Sequence, residues 1–195
     1  MGSQIDIQQI WHSQLQPSIS RLMRNEPWLA TQTHAAIYTT IYNVVMRDRE
    51  HGGRQLYSHL SAYYAAYAVH IYEAAPNDGL LVLDYYDSEW TRFSRGAVAV
   101  DRLFNYLNRD WVSVQRDNGR RDVKTVLNVA VTQWKMNMFD PISPRMEALF
   151  DVEDTHVAAL RTKLTTENLR VADVGPKMCV RPPHSDTSSL GSGST

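Results

Sequence analysis

The residues best placed to do chemistry are Asp84, Asp87 and Glu89, with His70 earlier in the chain. Three residues apart on a helix, Asp84 and Asp87 share a face, where they could ligate a divalent metal or divide acid and base roles. The plainer reading is a solvated face opposite Leu83, Tyr86 and Trp90, and such spacing alone favours it. His59 and His70 stand eleven residues apart, about three turns, so they reach one side of a helix but not one metal ion. Arg109, Arg116, Arg120 and Arg121 suggest phosphate binding, yet Asp110, Asp117 and Asp122 lie among them, and a cluster of helix-end ion pairs accounts for the set. No Walker loop, G-x-G-x-x-G, H-E-x-x-H, C-x-x-C or G-x-S-x-G is present. The expectation is a non-enzyme with no catalytic residue, metal or cofactor.

These side chains need a scaffold, and 195 residues at 43% hydrophobic suffice for one main domain with a sizeable core. A formal charge of -1 gives no sign of nucleic acid or an anionic membrane as partner. Lysine is confined to positions 124, 135, 163 and 177, so arginine carries most of the positive charge, and its planar fork suits interface ion pairs. The single Cys179 excludes an internal disulfide and fits a reducing compartment, cytoplasm or nucleus. No apolar run approaches the ~20 residues that span a bilayer, and the amino terminus lacks the regions of a signal peptide. Met1-Gly2 matches a myristoylation signal poorly, since no small hydroxyl residue stands at Ile5 or Asp6.

Helical periods run along most of the chain. Ile7, Ile10, Trp11, Leu15, Ile19 and Leu22 mark a helix over about 5–24, which Pro17 is expected to kink or divide. Thr31 to Thr33 offer caps for a second helix, with Ile37, Ile41, Val44 and Val45 inward and a second stripe of Tyr38 and Tyr42. Residues 47–53 read as a loop because Gly52 and Gly53 end helical tendency. A third helix is expected over 54–75, its tyrosines lying flat with hydroxyls at the solvent edge, and a fourth over 80–93 after the turn at Pro76 to Gly79. Val100, Leu103, Leu107, Trp111 and Val114 form the buried stripe of a fifth, which ends at Asp117-Asn118-Gly119. Val123, Leu127, Val131 and Trp134 begin a sixth, which Pro141 and Pro144 should break. Met146 to Leu169 is a weaker helix, and residues 174–195, rich in Gly, Pro, Ser and Thr, read as disordered. Successive helices without an alternating strand indicate an all-α bundle.

Several ordered segments resemble the first repeat of a cullin, the scaffold of multi-subunit ubiquitin ligases. Ile37-Tyr38-Thr39-Thr40-Ile41-Tyr42-Asn43 is similar to the L-Y-T-x-V-Y-N run of the SCF-type members, and Gln55-Leu56-Tyr57 to the E-L-Y that opens the family's third helix. Trp90 matches the tryptophan of its fourth helix. The run from Tyr106 to Val112 is the most specific match, with Gly119 to Arg121, Trp134 and Phe139-Asp140-Pro141 beyond it. The resemblance implies a five-helix cullin repeat over about 5–150, a partial helical extension over 151–173 and a tail over 174–195. It further implies a scaffold without catalysis, acting in ubiquitin-dependent protein catabolism, whose second and fifth helices bind a Skp-like adaptor carrying an F-box protein.

The residues placed at that surface are His34, Ala35, Tyr38 and Tyr42 on the second helix and Arg102, Asn105, Asn108 and Arg109 on the fifth. Helical phase does not decide which tyrosine points outward, and the match favours Tyr38. The family commonly has a Tyr-Met pair where this chain has His34-Ala35, so buried area is smaller and weaker adaptor binding is expected. The sequence also stops where a second repeat should begin, so neither a RING protein nor Nedd-type modification is expected from this chain alone. The alternative function is a regulatory protein that binds the adaptor and competes with a full-length scaffold.

Overall fold

The structure, a computed structural model, describes residues 6–27, 31–77 and 79–147. The expected extension and tail beyond 150, and Cys179, lie outside the described residues. Six helices and no strand are found among them. Helix α1 covers residues 7–23 as Ile7–Ile10, a π-helical Trp11–Leu15 and Gln16–Met23, and the Asp6 carboxylate caps it by accepting from the Gln9 N–H at 3.0 Å. Pro17 does not divide it, and the helix continues to Met23. The π turns just before the proline shift hydrogen bonding to the i−5 carbonyl, as in Gln16 N–H to Trp11 O, which accommodates a residue with no N–H to give. The same arrangement recurs in α6, residues 126–147, where π-helical Lys135–Phe139 precedes Pro141 and the helix runs on through Pro144 to Glu147. The expected break is absent because Ile142 and Met146 bury their side chains on the bundle.

Helix α2 is Thr31–Arg47 and α3 is Arg49–Glu73. The expected loop over 47–53 shrinks to Asp48, whose carboxylate accepts from the His51 N–H at 3.0 Å and starts α3 immediately. Gly52 and Gly53 therefore sit inside a helix, and close packing explains their choice. A Cβ at 52 would lie 2.6 Å from the Val44 carbonyl oxygen, and one at 53 would overlap the Trp111 indole.

The fourth helix does not end at Phe93. Helix α4 runs Gly79–Leu103, and Phe93 is wholly buried at its middle. A turn at Phe104 separates it from α5, residues 107–117, made of π-helical Leu107–Val112 and Ser113–Asp117. Gly119, at φ 86°, closes α5 as the turn signal predicts.

Helix α3 lies against α2, α5 and α6, while α4 lies against α1 and α6. An aromatic cluster fills the middle. Trp134 meets Phe93 at 4.5 Å and Trp90 at 5.6 Å between ring centroids, and its indole N–H donates to the Tyr86 hydroxyl at 3.1 Å. The α3 tyrosines depart from the solvent-edge expectation. Tyr67 donates to the Met23 carbonyl at 3.3 Å and Tyr63 bonds Ser20 at 3.0 Å, so hydroxyls placed at the α1–α3 seam satisfy groups of α1.

His59 has a packing role, its ring stacked on Trp11 at 4.9 Å and 15°. Burial first, and the nearby His12 second, hold its pKa below the usual 6.5. The unfolded chain then binds its proton before the native one does. Stability from the neutral ring is full above about 6.5 and is lost as pH falls through the lower native value. Thermal unfolding should therefore drop between pH 7.5 and 5.5 in the parent and drop less in His59→Phe, which keeps the stack but cannot titrate. Equal drops in both would remove His59 from the account.

Candidate partner-binding surface

Helix α2 turns Ile37, Ile41, Val44 and Val45 into the core, which leaves Tyr38 and Tyr42 on the flank that faces α5. Both are half-buried, so exposure does not separate them and neither is purely core. Each ring packs edge-on against Tyr106, Tyr38 at 5.2 Å and 66° and Tyr42 at 4.7 Å and 76°. The His34 ring lies roughly parallel to that of Tyr38 at 6.4 Å, while Ala35 is exposed beside it. On the other side of the seam the Arg109 guanidinium sits 4.5 Å from the Tyr106 centroid, a cation–π contact.

Tyr106 is thus the hub of the seam, although it was expected only as the head of the most specific family match and not as a surface residue. A signal was there. Positions 102, 105, 106 and 109 follow the i, i+3, i+4, i+7 pattern of one helical face, and Tyr106 is its large aromatic member. Arg102 belongs to the end of α4 and not to the fifth helix; Asn105 follows the turn at Phe104, and both are exposed. Asn108 has a different place. Its amide donates to Asp101 Oδ1 at 2.8 Å and accepts from the Val126 N–H at 2.9 Å, and Asp101 also accepts from the Leu127 N–H at 3.0 Å. Two of the unpaired donors at the start of α6 are satisfied in this way, so Asn108 joins α4, α5 and α6.

Asp84 is exposed, Asp87 half-buried, and Glu89 pairs with Arg92. Among the described residues no group of three or more His, Cys, Asp or Glu side chains could hold a metal ion. Two of the interleaved arginines do pair with neighbouring acids, Arg109 with Asp110 and Arg120 with Asp122, both at 3.3 Å. Arg120 also donates to Gln115, whose buried amide donates to Glu50 at the start of α3. No described helix is long and apolar enough to cross a membrane.

The cullin alpha solenoid domain matches residues 12–168. Cullin-1 of Caenorhabditis elegans is 26% identical over 166 residues, which cover 72% of this chain and 21% of that protein. Cell division control protein 53 of Saccharomyces cerevisiae is 26% identical over 163 residues, 70% of this chain and 20% of that one. Cullin-1 of Dictyostelium discoideum is 28% identical over 72 residues, 36% of this chain and 9% of its own length. The chain spans about a fifth of the length of the first two relatives. With the domain matched over most of its residues and the helical bundle in agreement, the chain belongs to the cullin family.

Proposed function

We propose that this protein serves as a non-catalytic scaffold in a cullin-RING ubiquitin ligase, taking up a Skp-like adaptor with its F-box protein through α2 and α5. The observation that carries the reading is the seam at Tyr106, which joins the two helices into one surface with Tyr38, Tyr42 and Arg109 at its centre. Exposed Ala35, Ala36, Thr39 and Asn43 flank it on α2, and Arg102 and Asn105 on the other side. A partner lying across the seam touches both helices at once, and aromatic and arginine residues are the types that dominate such contacts. Cytoplasm and nucleus, where reduced Cys179 is stable, are the compartments proposed.

Calorimetric titration with the adaptor of the same organism tests this. The parent should bind weakly, because His34 and Ala35 fill less space than the family's Tyr-Met pair. Tyr38→Ala should abolish binding while the helical fold survives. His34→Tyr combined with Ala35→Met should tighten it at least tenfold, about 1.4 kcal/mol. Silence from both the parent and the restored double variant would end the adaptor reading while leaving family membership untouched.

A further inference from the structure

The exposed charges of the adaptor-facing seam are arginines, and this inference rests on the proposed adaptor reading. On the α2 side the exposed residues Ala35, Ala36, Thr39 and Asn43 are uncharged. On the other side stand Arg102 and Arg109, both exposed. The nearby carboxylates are already engaged. Asp101 accepts from Asn108 and Leu127, and Asp110, its side chain 20% exposed, pairs with Arg109. The chain as a whole is close to neutral at -1, and the exposed charges at this surface are the two arginines, with the half-buried Asp110 paired to one of them.

Arg109 is more than a diffuse charge. Tyr106 supports one face of its guanidinium at 4.5 Å, Asp110 accepts from its Nε at 3.3 Å, and three-fifths of the side chain, 60%, stays exposed. The hydrogen bond with Tyr106 first, and the Asp110 charge second, raise its pKa further above the ordinary arginine value, so it is cationic at every working pH. A guanidinium held on a ring and on a carboxylate has lost much of its rotamer freedom before any partner arrives. Planar, oriented and charged, it suits a carboxylate, with which arginine forms paired N–H to oxygen bonds. The small α2 residues increase the weight of this polar contact, since Ala35 and Ala36 bury little apolar area.

We infer that Arg109, held in place by Tyr106, is a preorganised receptor for a carboxylate on the adaptor, and that the strip it shares with Arg102 selects an acidic partner surface. Tyr106 and Asp110 act through Arg109 as positioning residues.

The test is association and dissociation kinetics of the purified Skp-like adaptor at low and physiological salt. Arg109→Lys keeps the charge but not the planar fork, so association should match the parent while dissociation quickens by about tenfold, ~1.4 kcal/mol. Arg102→Gln should slow association and flatten its salt dependence with little change in dissociation. Arg109→Gln should show both effects. Both positions are exposed, so unchanged thermal unfolding checks the fold. If the adaptor binds and Arg109→Lys dissociates like the parent, the carboxylate receptor is refuted while the adaptor reading stands. If association is indifferent to salt and to Arg102→Gln, acidic-partner selection is refuted. If no variant binds, including the His34→Tyr and Ala35→Met double variant, both readings fall together.

Discussion

Trp111→Ala should lower the free energy of unfolding by about 3 to 5 kcal/mol, the usual range for emptying a buried aromatic site. Only 2% of the residue is exposed, and its indole fits between the Tyr57 ring, 5.1 Å away, and the bare backbone of Gly53. A domain of this kind has ~5 to 15 kcal/mol in all, so the variant should unfold early in urea or not accumulate folded. Trp111→Phe separates shape from hydrogen bonding. The indole N–H meets no acceptor among the described residues, so removing it costs nothing beyond the lost area and Phe should retain most of the stability. A loss under 1 kcal/mol for Trp111→Ala would contradict the burial. The expected size also has a bearing on the surface, because Trp111 stands in the same π-helical segment as Arg109. Loosening the ring should move that arginine, and adaptor binding should weaken even in the fraction that stays folded.

Of the expected stripe, Val100, Leu103, Leu107 and Trp111 are buried and Val114 is half-buried, although Val100 and Leu103 belong to the end of α4 and not to the fifth helix. Spacing works there because a helix with one apolar face has few other ways to hide it. Boundaries were less legible, and always for a tertiary reason. Gly52 and Gly53 read as helix breakers, but at α3 they are contact points where neighbouring groups leave no room for a Cβ. Gly96 acts similarly within α4, where a Cβ would stand 2.8 Å from the Met23 Cα, so α4 continues past Phe93 against α1. Helix propensity differs by only ~1 kcal/mol between Gly and Ala, and a close helix crossing outweighs that. Pro17 and Pro141 misled for another reason: the usual clash assumes α-helical hydrogen bonding, and the turns preceding both are π-helical.

The surface divided in the same way. Tyr38 and Tyr42 were found from a second stripe on α2, since residues beside an apolar stripe tend to lie at its edge. What they meet depends on which face of which helix arrives, and no local pattern contains that. Tyr106 was therefore left off the expected surface, although it touches both. Asn108 was grouped with Arg109 as one candidate surface, yet its amide is spent on Asp101 and Val126. A half-buried asparagine that joins three helices and an exposed one that greets a partner look the same in one dimension.

Gly53→Ala should destabilise the parent and should cease to do so once Trp111 is removed. In isolation the change adds helix propensity of ~1 kcal/mol at an interior position of α3. In the parent the new methyl would overlap Trp111 Cδ1 and Cγ and stand 3.0 Å from its Cβ. The ring has no free direction in which to retreat, being 2% exposed and backed by Tyr57, and overpacking of this kind typically costs about 1 to 3 kcal/mol. In Trp111→Ala the same methyl enters vacated space, so only the propensity gain and some cavity filling remain, and Gly53→Ala should turn neutral or stabilising. Residues in contact couple by roughly 0.5 to 3 kcal/mol, so the cycle of four proteins resolves the inversion. Gly52→Ala is the control. Its Cβ would meet the Val44 carbonyl oxygen at 2.6 Å, a backbone atom indifferent to position 111, so it should destabilise equally with and without the indole. Were Gly53 retained only for flexibility, Ala would stabilise both backgrounds and the coupling would vanish; an inversion confined to Gly53 places the α3–α5 contact at that glycine.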